Sequence, residues 1–211
     1  MSGKRIKLRQ IVAFVLLSIC LPLLAATVED GEKLLDQGEY AKAAEIWWNL
    51  AENGDKRAQN LFGELYRKGR GVARNYKQAK KWFNKSARQG YAPGQYNLAR
   101  LYRVGKGTKK DPKAAAKWFT KAAEQGHIKA QYNIGVMLEN GWGVDEDIDE
   151  AASWYQKAAD AGDKKAAKKL RNLGQVRLAS AAKNANISSK EELRFKSRDG
   201  NVNAVQLLLD Q

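Results

Sequence analysis

Gly69-Arg-Gly71-Val-Ala-Arg-Asn75-Tyr-Lys-Gln-Ala79-Lys-Lys-Trp82-Phe83-Asn-Lys-Ser-Ala87-Arg-Gln-Gly90 returns twice further along the chain. It comes back as Gly105, Gly107, Asp111, Ala115, Trp118, Phe119, Ala123 and Gly126, and again as Gly141, Gly143, Asp147, Ala151, Trp154, Tyr155, Ala159 and Gly162. The tryptophans stand 36 residues apart and every column keeps that interval. Upstream, Gly63, Ala99 and Gly135 add one more column. A fixed period of about 20 to 50 residues marks a stack of units, none of which buries its own apolar face.

Each unit reads as two helices. The first carries Ala58, Phe62, Leu65 and Tyr66 on one stripe, repeated as Leu98, Leu101 and Tyr102 and then as Ile134, Met137 and Leu138. Gly63, Ala99 and Gly135 lie beside that stripe, where a missing side chain lets helices approach closely and offsets the weak helix propensity of glycine. Gly69, Gly105 and Gly141 suit the left-handed residue that closes a helix. The second helix opens at Asn75, Asp111 and Asp147, side chains that accept from first-turn amides, and Pro112 fits the first helical position. Asn75 with Gln78, and Asp147 with Glu150, have capping-box spacing. Alanines alternate with Trp82, Phe83, Trp118 and Phe119, which at this spacing read as core rather than a ligand-stacking ladder.

A shorter hairpin precedes the array, with Gly31, Leu34, Gly38, Ala43, Trp47, Ala51 and Gly54. After it, Asp163 to Leu173 supplies another first helix and the pattern decays beyond Gly174. Lys183 to Lys190 reads as a polar loop, and residues 191–211 as a degenerate last hairpin or half of an ankyrin-like repeat. At the other end, Lys4, Arg5, Lys7 and Arg9 precede an apolar run, Ile11 to Leu24, and the small pair Ala25-Ala26. That is the layout of a secretory signal peptide cleaved before Thr27. An uncleaved anchor is the rival, against which the run falls short of the roughly 20 residues a bilayer span needs. Export would place the mature chain in the periplasm or outside the cell, and only an uncleaved leader would tie it to a membrane.

Cys20 lies in the apolar run after Ile19, which does not suit lipid attachment, and the mature chain has no other cysteine. Disulfides and thiolate metal sites are thereby excluded. The formal charge of +15 is uneven: residues 57–128 hold 18 Lys and Arg against 3 acids, whereas 27–56 and 129–162 each come to −5. The central repeats form a basic block between acidic neighbours.

The order Ala58, Phe62-Gly63, Tyr66, Gly69-Arg70-Gly71-Val72, Asn75, Ala79, Trp82-Phe83, Lys85, Ala87, Gly90 resembles the Sel-one-like repeat, a relative of the tetratricopeptide repeat. Ala99 in the small-residue column and Thr108 at the place of Val72 are mild departures. The resemblance implies an all-α, right-handed α/α superhelical solenoid of helix-turn-helix repeats. Its members mostly serve as adaptors in protein complexes, and exported bacterial members act in envelope processes and host interaction. It divides the chain into a leader (1–26), a tetratricopeptide-like hairpin (27–56), three repeats (57–92, 93–128, 129–164), a capping helix (165–182), a loop (183–190) and the final hairpin (191–211).

The inventory offers little chemistry. His127 is the sole histidine and reads as a surface residue at a helix start, so neither a catalytic triad nor a two-histidine metal site can be assembled. Gly105-Lys106-Gly107-Thr108 lacks the upstream glycine of a phosphate loop and follows a helix rather than a strand. Ser180 and Lys183 match the Ser-x-x-Lys of penicillin-recognising enzymes without its companion motifs, which leaves a hydrolase as the minor reading. Asp145, Glu146, Asp147, Asp149 and Glu150 suit a helix N-terminus better than a calcium loop. No catalytic residue, metal or cofactor is expected.

Binding is the reading that remains. By analogy with tetratricopeptide repeats, outward positions of the first helices line a concave groove: Asn60, Glu64 and Arg67, then Tyr96, Arg100 and Arg103, then Tyr132 and Glu139. Trp142 replaces Arg70 and Lys106 between the loop glycines, either as a partner contact or packed on the adjacent repeat. A second surface is the basic loop edge of Arg67, Lys68, Arg70, Arg74 and Lys77 with Arg103, Lys106, Lys109, Lys110 and Lys113, suited to an acidic protein, lipid head groups or an anionic envelope polymer. Nucleic acid is not expected, because the aromatics that would stack bases are committed to core positions.

Overall fold

The computed structural model describes residues 26–184, with side chains through residue 179. Residues 1–25 of the leader with Cys20, the side chains of Ser180 and Lys183, residues 185–190 of the expected loop and the final hairpin lie outside the described residues. Among the described residues every regular element is helical: α1 (Val28–Asp36), α2 (Tyr40–Glu52), α3 (Lys56–Lys68), α4 (Tyr76–Arg88), α5 (Ala92–Val104), α6 (Pro112–Glu124), α7 (Ile128–Glu139), α8 (Ile148–Asp160) and α9 (Lys164–Asn184). They form two compact units, one running to Asn97 with Lys106–Thr108 added, the other taking Leu98–Gly105 and the chain from Lys109 onward.

In the first unit α1 to α4 pack in sequence order, and the core joins Val28, Ala43, Trp47, Ala51, Ala58, Phe62, Leu65 and Trp82. Phe62 sets its ring edge-on to both Tyr66 and Trp82, the geometry aromatic quadrupoles favour. A side chain at Gly63 would overlap the Phe83 ring at 2.7 Å, so that glycine is where α3 and α4 close on each other. The second unit repeats the device: a Cβ on Gly135 would meet the Tyr155 ring at 2.7 Å where α7 crosses α8. The buried residues of this unit include Leu98, Leu101, Phe119, Ile134, Met137, Leu138 and Tyr155.

Helix ends follow the sequence. Gly69 closes α3 at φ +72°, and Asn75, Asp111 and Asp147 each accept from first-turn amides. The capping boxes differ from expectation. At Asn75 and Asp147 the forward bond forms, but the Glu150 carboxylate accepts instead from Trp154 Nε1 at 3.1 Å, because the indole sits one turn along the same face. A complete box forms at Thr27 and Asp30, opening α1. Gly174 does not end a helix: α9 continues through it to Asn184, since the residues that follow are helix formers with no second loop glycine.

The tryptophan column is core in part. Trp82 and Trp154 are buried, whereas Trp118 is only half-buried. Each carries the ammonium of the lysine three residues on, with Lys85, Lys121 and Lys157 at 4.1, 5.1 and 4.1 Å from the ring centroids. A buried glutamine column escaped the sequence reading. Gln59, Gln95 and Gln131 donate to the carbonyls of Ala51, Ala87 and Ala123 at 3.0, 3.3 and 3.3 Å, tying each first helix to the end of the helix before it.

Candidate partner-binding surface

In the first unit the expected groove positions are largely engaged within the chain. Asn60 is turned inward at 6% exposure and accepts from Asn97 Nδ2 at 2.9 Å, so the outward orientation read for it is corrected. Arg67 holds Glu64 through two bonds of 2.7 and 2.8 Å, which raises the guanidinium pKa further, and Lys68 adds a contact at 3.5 Å. Tyr96 is half-buried.

The second unit is organised differently. Arg100 is half-buried, and Arg103 stands where Arg67 does one repeat earlier, but its bonded partner is the neutral Asn133 Oδ1 at 2.8 Å. Its guanidinium also lies 5.9 Å from the Phe119 ring. Tyr132 packs against Tyr155 with centroids 5.8 Å apart. Glu139 accepts from the Tyr155 hydroxyl at 2.5 Å and from Lys169 at 2.8 Å, so its charge is neutralised. Burial, then this bond to Glu139, pushes the Tyr155 phenol far above the usual tyrosine range. Trp142 is 52% exposed. A depression of about 500 Å³ is lined by Arg103, Lys110, Pro112, Met137, Gly141, Trp142 and Gly143. Sequence reading missed Pro112 as part of this lining, because nothing local shows that the third loop descends onto α6, and Met137, itself buried, was read only as core.

The basic loop edge is partly spent on rings. Arg70 lies 5.3 Å from the Tyr40 centroid and Lys106 5.1 Å from that of Tyr76, with Arg74 at 6.0 Å from Tyr76. Lys109, Lys110 and Lys113 remain exposed. In the Gly105-Lys106-Gly107-Thr108 turn, Thr108 Oγ1 accepts from Lys80 at 2.9 Å, and Gly107 lies against the Tyr76 carbonyl.

His127 is more than a surface residue. It caps α7, its Nδ1 accepting from the Ala130 amide at 3.2 Å, and burial lowers its pKa from the usual 6.5. Among the described residues no group of His, Cys, Asp and Glu is arranged to hold a metal, and no helix is long and apolar enough to cross a membrane.

Comparison with known proteins places this geometry. The family model described as "Sel1 repeat" matches residues 56–91, 92–127 and 128–163. The crystal structure of a Sel1 repeat protein from Oxalobacter formigenes superposes with a TM-score of 0.65 at 36% identity, covering 70% of this chain and 58% of that one. A protective antigen of uropathogenic Escherichia coli, c5321, gives 0.61 at 30% identity, covering 71% of this chain and 36% of that one. A curated relative, DAP3-binding cell death enhancer 1 of Rattus norvegicus, is 42% identical over 57 residues, which are 27% of this chain and 11% of that protein. The chain thus spans only part of the proteins it matches. Sel1 repeats generally act as non-catalytic scaffolds for protein–protein interaction. With the repeat model matched over half its length and an all-helical solenoid fold, the chain belongs to the Sel1 repeat family.

Proposed function

We propose that this protein is an exported adaptor in the bacterial envelope or beyond it, directed there by its leader through Ala26, and that it captures a protein partner on the inner face of its first helices. The contacts are Tyr96 on the first unit and Arg100, Arg103, Tyr132 and Trp142 on the second, with Asn60, Glu64, Arg67 and Glu139 as further positions on the first helices. One observation carries this reading: Arg67 and Glu139 are neutralised by charged neighbours, whereas Arg103, in the register of both, is held by a neutral amide. A guanidinium held by a neutral partner keeps its charge for a ligand, and arginine, tyrosine and tryptophan dominate binding hot spots.

Crosslinking pull-down of the mature chain from its native compartment identifies the partner. Alanine at Tyr96, Arg100, Arg103 and Tyr132 together is expected to abolish capture while far-ultraviolet circular dichroism stays helical. Capture that survives this variant and disappears only when Lys109, Lys110 and Lys113 are neutralised would assign binding to an anionic envelope polymer instead, a reading supported by the exposure of those lysines.

A further inference from the structure

The third repeat junction departs from the other two at one point. At each junction the second loop glycine brings the turn down onto the start of the preceding repeat's second helix: a Cβ on Gly71 would meet the Tyr40 carbonyl oxygen at 2.2 Å, one on Gly107 that of Tyr76 at 2.2 Å, and one on Gly143 the Pro112 carbonyl carbon at 2.3 Å. Beside that contact Arg70 covers Tyr40, and Lys106 covers Tyr76. In the same register the third junction has Trp142 and Pro112. The backbone approach is kept, but a cation seated on a ring is exchanged for an indole and a pyrrolidine, both facing the depression of about 500 Å³.

The charged lining of that depression is of one sign, Arg103 and Lys110. Among the described residues neither is held by a carboxylate: Arg103 donates to Asn133, and the Lys110 side chain is exposed. Met137, Pro112 and Trp142 supply the apolar wall. A half-exposed indole beside two available cations matches a ligand with one bulky apolar group and one carboxylate a few ångströms away. Asp145 and Glu146 lie just past Gly143 on the same turn without lining the depression, so a long polyanion would meet repulsion there that a single carboxylate avoids.

We propose that this depression is the specificity pocket for the protein partner, taking a peptide segment in which Asp or Glu adjoins a Phe, Leu or similar side chain, the apolar group against Trp142 and Pro112 and the carboxylate on Arg103 and Lys110. This rests on the adaptor reading and adds the partner's chemistry to it.

The test is a titration of the ¹⁵N-labelled mature protein with acetyl-Phe-Glu-amide, following the indole Nε1–H resonance of Trp142, assigned by its disappearance in Trp142→Phe. A saturable shift is expected with a dissociation constant in the range of about 1 mM, ordinary for so small a probe. Acetyl-Phe-Gln-amide and acetyl-Ala-Glu-amide, and the wild-type probe on the Arg103→Gln/Lys110→Gln variant, should each bind about tenfold more weakly, a loss of about 1.4 kcal/mol. An immobile resonance at about 10 mM probe, equal binding of the glutamine peptide, or equal response to polyphosphate would overturn the pocket. Pull-down of the partner unaffected by Trp142→Ala would also overturn it while leaving the adaptor reading intact. That reading fails separately, through the inner-face alanine variant.

Discussion

Gly71 and Gly90 both sit at positive φ, at +69° and +79°, yet substitution at the two should differ sharply. An added Cβ at Gly71 runs into the Tyr40 backbone, whereas at Gly90 nothing lies within 4 Å. Gly90→Ala should therefore cost only the left-handed strain, about 1–2 kcal/mol, and Gly71→Ala more than about 3 kcal/mol, because the backbone of another helix must yield. Urea unfolding of the two variants measures the difference, and equal losses would mean the loop does not press on α2. At His127 the reasoning turns on a proton. The ring accepts the Ala130 amide and is partly buried, so the fold favours neutral imidazole and the pKa lies below 6.5. The unfolded chain binds the proton more readily, so the stabilisation is complete above pH 6.5 and is lost as pH falls from there through the lower folded value. Replacing His127 with Asp, the residue that caps α3 at Asp55, should remove this step: melting temperatures of wild type should drop further than those of the variant on moving from neutral to mildly acidic buffer. Parallel profiles would refute the assignment.

At the scale of the helix, punctuation and stripe were legible because both are local. Asn75, Asp111 and Asp147 cap as their side-chain chemistry requires, and Pro112 costs α6 no hydrogen bond at its first position. Asp111→Ala should lower stability by about 1 kcal/mol, while Asp111→Ser should recover most of it, both read from thermal melts. An unchanged Asp111→Ala melt would show that the bond of 2.9 Å to Ala114 adds nothing net. What local pattern could not show is where a capping residue's partner turns. Glu150 had capping-box spacing, but Trp154 offers its carboxylate a donor on the same face. Gly174 lies inside α9, within the span expected for the capping helix, since a lone glycine without the second loop glycine leaves helix propensity in control. The column of Gln59, Gln95 and Gln131 was visible at the 36-residue interval, but its burial was not, since a long amide side chain is ordinarily a surface group.

For the whole molecule, the basic block of residues 57–128 between acidic neighbours should govern how a partner arrives. Capture is expected to weaken several-fold between low and physiological salt, chiefly through a slower association rate, because steering by exposed lysines is screened beyond about 8 Å. Surface plasmon resonance at graded ionic strength would record it, and a salt-independent association rate would remove the block from the recognition process. The architecture was written in the chain: a helix stop, a cap and an apolar stripe each depend on residues within about four positions, and their return every 36 residues leaves stacking as the way to bury the stripe. Tertiary structure alone decided which of the polar side chains on the first helices are paired, and with what. Glu139 is neutralised by Lys169 from 30 residues away, Asn60 is taken inward by Asn97 from 37 residues away, and Arg103 is held by Asn133 at a separation of 30 without losing its charge. Exposure and pairing are properties of such distant neighbours, and the spacing of residues along one helix does not encode them.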